Sequence, residues 1–204
     1  VRRAERAPEI APSVGKADAV VVLPRASATG NVAGGARTPT LAFLDMATSV
    51  STSIPPVGDV APDFSLDSTA GKPVRLADSR GQRHVLLAFF PLAFTSTCTA
   101  EVCEFSEDFD RYENANVAVL PISVDSVPTL REFKAKHSIR VDMLSDFRRE
   151  VSRRYGVLDE ERFFARRAYV LIDRSGVVQW AHVEDRLGHR RQTDELLARI
   201  EALD

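Results

Sequence analysis

Beyond Pro55 the chain is written in short blocks whose apolar spacing switches between two and three-to-four. "DFSLDSTAGKPVRLAD" (63–78) holds two short alternating runs around Ala70-Gly71-Lys72, which predicts a β-hairpin. "HVLLAFF" (84–90) is apolar without interruption, as a central strand covered on both faces must be. A helix is expected over roughly 98–114, with Val102, Phe105, Phe109 and Tyr112 on one stripe. "VAVLPISV" (117–124) predicts a second buried strand, in which Pro121, lacking an N–H, implies a bulge or a strand end. "VPTLREFKAKH" (127–137) predicts a helix with Leu130, Phe133 and His137 in register. A short strand follows in "VDMLSD", and a short helix in "FRREVSRRYG" closed by Gly156. "RAYVLIDRSGVVQWAHVE" (167–184) predicts a hairpin turning at Arg174-Ser175-Gly176. The last helix, about 194–203, is expected to be capped by Thr193 and to bury Leu196, Leu197, Ile200 and Leu203.

Strands that alternate with helices, together with hairpins, define an α/β architecture: a central mixed sheet flanked by helices. The first 54 residues follow a different grammar. They are rich in Ala, Pro, Gly, Ser and Thr and carry no sustained period, which predicts a disordered extension ahead of one domain over 55–204. "VRRAER" and the apolar run Ala19 to Leu23 hint at a targeting peptide, but Asp18 interrupts and no cleavage site follows. The plainer reading is an over-extended start, with Met46 beginning the protein proper.

Composition narrows the function. A formal charge of −2 gives no basic field for nucleic acid. No apolar run approaches the ~20 residues that cross a bilayer, so no membrane partner and a cytoplasmic location are expected. Two cysteines in 204 residues are too few for a disulfide framework. They stand five apart, as Cys98 and Cys103 in "PLAFTSTCTAEVC" (91–103), so the pair is an accident, half of a metal site, or redox chemistry. The four histidines form no ligand pair at helical or finger intervals, so no metal is expected. A buried strand ending at Phe90-Pro91 and a helix opening near Cys98 place that sulfur where unpaired N–H groups converge. Such a position favours thiolate over thiol and accepts developing negative charge on a substrate oxygen. Thr95 can aim a hydroxyl at the same spot, and Pro91 stiffens the turn without adding a donor. Against this stands the bland alternative that Cys98 is a small buried hydrophobe.

In an ideal helix, residues five apart are separated by ~7.5 Å of rise and about 140° of rotation. Their Cα atoms then lie roughly 8 to 9 Å apart, beyond the ~7 Å reach of a disulfide. Cys103 is expected to be exposed, facing away from the stripe that carries Cys98. A bond between the two therefore requires the first turns of the helix to unwind.

"FFPLAFTSTCTAEVC" resembles the peroxiredoxin active site, with Pro91, Thr95 and Cys98 on its Pro-x3-Thr-x2-Cys pattern. The hairpin at 63–78, "ISVDSVPTLREFKAKHSI" and "RAYVLIDRSGVVQWAHV" extend the resemblance over about residues 55–204. It implies a thioredoxin-like fold with an N-terminal β-hairpin and a peroxidase that needs no cofactor. Cys98 would attack a hydroperoxide and become a sulfenic acid, with Thr95 and the Cys98 N–H holding the peroxide oxygens. In the family it resembles, the stabilising arginine lies six residues before the Asp that ends its strand, and counting back from Asp173 selects Arg167 over Arg166. Glu101 fits the carboxylate that orients it. "CTAEVC" is similar to the bacterioferritin-comigratory (peroxiredoxin Q) group, many members of which resolve through a cysteine five residues on. "FFPLAFT" is similar to the alkyl hydroperoxide reductase E group, some of whose members work with one cysteine. The resemblance thus implies Cys103 as resolving residue, a thioredoxin or similar dithiol as reductant, and a monomer or homodimer. A one-cysteine peroxidase, or a non-enzymatic redox sensor or holdase of the same fold, are the alternatives.

Overall fold

The computed structural model describes residues 53–203. The extension expected over 1–54 and the start at Met46 fall, save for Ser53 and Ile54, outside the described residues. A seven-stranded sheet runs in the order β2-β1-β5-β4-β3-β8-β9. Its centre is β3 (His84–Phe89), every residue of which is buried. On one side β3 pairs in parallel with β4 (Val117–Ser123), and on the other antiparallel with β8 (Ala168–Ile172). The predicted hairpins are present. β1 (Ser65–Ser68) pairs with β2 (Val74–Arg75), and β8 with β9 (Val178–Val183). Gly71 and Gly176 turn them at φ +82 and +88, a region open to glycine because it has no Cβ. The sheet's short β5 is Leu144–Ser145.

Alternation along the strands divides the core in two. Leu86, Ala88 and Phe90 share one face with Tyr169 and Leu171 of β8. Over that face lie α1 (Ser96–Glu107), α2 (Phe109–Asn114), α3 (Val127–Lys136) and α5 (Thr193–Glu201). Val85, Leu87 and Phe89 face the other way with Val170 and Ile172, against α4 (Glu150–Arg154) and the N-terminal segment. Each buried large apolar side chain contributes roughly 1.5–3 kcal/mol, so the two layers carry the fold. Among the described residues, no helix is long and apolar enough to cross a membrane.

Four expectations need correction. The helix predicted over 98–114 begins at Ser96 and breaks at Asp108 (φ −89, ψ 12), giving α1 and α2. Pro121 neither ends nor bulges β4. The carbonyls of Asn116 and Ile122 accept from β3, so residues of even number face β3 and Pro121 faces the other edge. β5 reaches that edge only at Ile122, so no ladder bond is lost. Thr193 does not cap α5. It is the first helical residue, buried, and its hydroxyl accepts from Tyr112 while Gln192 holds the cap position. Finally, a small hairpin of β6 (Leu158–Asp159) and β7 (Phe164–Ala165) lies in "LDEERFFA", where no strand was expected.

Candidate active site

The strand β3 delivers the chain to Pro91, which is buried, and the loop that follows is pinned from β4's end. Asp125 accepts from the Ala93 N–H at 2.8 Å and from the Ser123 hydroxyl at 2.9 Å. Phe94 takes a left-handed conformation (φ 64), unusual for a bulky residue. Its ring packs edge-on to Phe133 at 5.1 Å, with the Lys136 ammonium 5.6 Å away, contacts that offset the strain. Thr95 then returns to extended backbone as N-cap of α1, its carbonyl accepting from the Thr99 N–H. Its hydroxyl turns back to donate to the Leu92 carbonyl at 2.9 Å. Cys98 is the third residue of α1, within the first turn, where backbone N–H groups have no partner four residues earlier.

Cys98 is only 1 % exposed and belongs to the helix-side core. It also borders a cavity of about 280 Å³ lined by Pro91, Thr95, Phe164, Arg167 and Leu187. Among the described residues, Arg167 is the largest fully buried side chain. It precedes β8 and, by alternation, shares the face of Tyr169 and Leu171, which is the α1 side. Its Nη2 donates to the Cys98 Sγ at 3.2 Å and to the Leu187 carbonyl at 3.3 Å. Arg166 points elsewhere, donating to the Gly156 carbonyl at 2.9 Å. The register counted from Asp173 and the geometry thus select the same arginine.

Glu101, one turn after Cys98, receives Arg167 Nη1 on one carboxylate oxygen and the Tyr169 hydroxyl on the other. Burial pushes Glu101 up to about 7, against the opposing pull of Arg167, Tyr169 and Arg190. Burial works against the Arg167 charge, but Glu101 and Cys98 outweigh it, and its pKa rises above the ordinary arginine value. Burial and the adjacent Glu101 hold the Tyr169 phenol protonated well beyond its usual range. A second pair, Arg190–Glu104, joins α1 to the segment before α5, and Glu104 also accepts from the Thr193 N–H at 2.7 Å.

Cys103 lies on the same unbroken helix, and both cysteines are free. It was expected to be exposed; it is half-buried and packs against the helix-side core. Burial, then the nearby Glu107, pushes its thiol pKa upward.

Sequence reasoning did not find Tyr169, which in "AYVLI" looks like one more core residue, nor the Leu187 carbonyl, which no side-chain pattern announces. Tyr169 had a signal: it stands two residues from Arg167, hence on the same face. Nor did it group Glu184, Asp185 and His189, whose ligand atoms lie within 4.8 Å of one another. Two of them already have partners, Glu184 in the Arg191 guanidinium at 2.8 Å and Asp185 in the His189 ring at 2.8 Å.

A thioredoxin-like sheet whose central strand leads a cysteine into a helix start beside a buried arginine defines a class of thiol proteins. The chain belongs to the AhpC/TSA family, whose model matches residues 57–181. It is 38 % identical over 130 residues to alkyl hydroperoxide reductase E of Mycobacterium bovis, covering 63 % of this chain and 85 % of that one. To peroxiredoxin Bcp of Escherichia coli it is 37 % identical over 134 residues, covering 63 % and 84 %. Among solved structures, the reduced 2-Cys peroxiredoxin of Plasmodium vivax superposes with a TM-score of 0.67 at 35 % identity, covering 72 % of this chain and 81 % of that one.

Proposed function

We propose that this chain is a peroxiredoxin, a thiol-dependent peroxidase, with Cys98 as its nucleophile. The observation that carries the assignment is the Arg167 guanidinium 3.2 Å from a sulfur in the first turn of α1, beside a cavity. In the first step the Cys98 thiolate attacks the terminal oxygen of a hydroperoxide. An S–O bond forms as the O–O bond breaks, leaving a sulfenic acid, and the departing oxygen takes a proton and leaves as water or alcohol. The sulfur is oxidised and the peroxide reduced by two electrons. Helix dipoles and Arg167 act on the charge that passes from sulfur to oxygen. Thr95 and the Cys98 N–H hold the peroxide oxygens, for which the Thr95 hydroxyl exchanges its Leu92 partner for substrate.

In the second step the Cys103 thiol condenses with the sulfenic acid, releasing water and forming a disulfide. A thioredoxin-type dithiol reduces it and is itself oxidised. "CTAEVC" and the nearness of Cys103 along α1 support this route.

Mass spectrometry after one equivalent of hydrogen peroxide tests both steps. Cys98 is expected to end joined to Cys103, and a Cys103→Ser protein to stop at the Cys98 sulfenic acid. A wild-type protein that stops there too would mean that an outside thiol resolves it. Full peroxidase turnover by Cys98→Ser would remove the assignment altogether.

A further inference from the structure

Tyr169 stands at the far end of a chain of hydrogen bonds that converges on Glu101 from both sides and finishes on the nucleophile. The Arg191 N–H donates to the Tyr169 oxygen at 3.0 Å. The hydroxyl, its acceptor side filled, donates to one oxygen of Glu101. The other oxygen of Glu101 receives Arg167 Nη1, and Arg167 Nη2 donates to Cys98 Sγ. Tyr169, Glu101, Arg167 and Cys98 are each 1 % exposed or less, so no bulk water can substitute for a missing member. The ring has little freedom of its own, being stacked on Trp180 at 6.4 Å with an interplanar angle of 24°.

We infer that Tyr169 is a positioning residue of the peroxidase proposed above. Its hydroxyl fixes the rotation of the Glu101 carboxylate, and through it the aim of the Arg167 guanidinium at the Cys98 sulfur. The inference rests on that reading of Cys98. A carboxylate held by Arg167 alone is free to turn about its last bond, and Arg167 is then held by one fixed oxygen fewer. With Tyr169 in place, each oxygen has one donor, and the guanidinium is steadied between Glu101 and the Leu187 carbonyl.

The test is a cycle with Tyr169→Phe, which removes only the hydroxyl, and Glu101→Gln, read as the stopped-flow rate of Cys98 oxidation by hydrogen peroxide. Tyr169→Phe is expected to lower the rate about tenfold in the wild-type background and less than twofold in the Glu101→Gln background. A fall below twofold in the wild type, or an equal fall in both backgrounds, would overturn the inference. Should Glu101→Gln not fold, the pH–rate profile of Tyr169→Phe alone decides. Arg167, Arg190 and Tyr169 are the groups that face Glu101 across the interface, and each lowers its pKa. Loss of the Tyr169 bond must therefore move the Glu101 ionisation to higher pH, and an unmoved profile refutes the role. Cys98→Ser in parallel separates the two ideas: residual peroxide turnover there removes the peroxidase reading, whereas its absence beside an unaffected Tyr169→Phe removes only the role of Tyr169.

Discussion

At Arg166 and Arg167 two identical side chains stand one position apart, and strand geometry alone divides their roles. Arg167 reaches the sulfur on the α1 side, and Arg166 ends on the Gly156 carbonyl. Replacing Arg167 with Ala is expected to slow Cys98 oxidation by about 100-fold or more, the size seen when a donor to a developing oxyanion is removed. Arg166→Ala should stay within about threefold. Stopped-flow rates for the two variants check this, and a reversed order would sink the assignment of the guanidinium. This division was legible in the sequence through the peroxiredoxin resemblance, whose arginine spacing counted back from Asp173 selects Arg167, and through the period of two, which lets only one of the neighbours serve. Glu101 was legible through the same resemblance, as the residue one turn after Cys98 that fits the family's arginine-orienting carboxylate. Tyr169 was not, since a hydroxyl at the end of an apolar side chain looks the same whether it has a task or merely a partner. The Leu187 contact was invisible for a different reason, being made by backbone in an irregular segment.

Among the elements, α1 was placed by its apolar stripe, yet its ends were not. No glycine or proline marks the break at Asp108, and the start at Ser96 is set by the left-handed Phe94 and extended Thr95 that precede it. The same holds for α5, where burial of Thr193 between Tyr112 and Glu104 took away its capping role. The hairpin β6–β7 has strands of two residues, too short for any periodicity to register. The helix α1 also carries a demand: as observed, it runs unbroken through Cys98 and Cys103, whose Cα atoms at ideal helical spacing lie roughly 8 to 9 Å apart. Hydrogen exchange should find amides 99–104 protected in the reduced protein and unprotected once the two sulfurs are joined. Protection in α2 should persist in both states, because Asp108 already separates it from α1. A disulfide form with α1 still protected would refute the unwinding.

For the whole molecule, the alternation of strands and helices foretold a mixed sheet with two covered faces. The order of its strands, with β1 next to β5 and β8 beside β3, was not legible, because pairing between distant strands leaves little trace in local pattern. Global stability carries one signature of the site. Glu101 binds its proton more tightly in the folded chain, at about 7 against 4.5, so folding gains stability as pH falls through that window and loses it as pH rises past 7. Gln at this position cannot titrate. Urea unfolding of wild type and Glu101→Gln at pH 4.5 and pH 8 should therefore show the wild type gaining on the variant by about 3 kcal/mol at the lower pH. A difference that does not change with pH would mean that Glu101 keeps its charge without cost.

Glu101 sits between the two cysteines, on the turns that the proposed Cys98–Cys103 disulfide would open. Bringing Cys103 to Cys98 means dragging a buried acid away from Arg167 and Tyr169 as well as breaking helical turns. Both costs are expected to slow the second step of the proposed route. On the proposed route the Cys98 sulfenic acid is therefore expected to dwell, open to a second peroxide or a passing small thiol before Cys103 arrives.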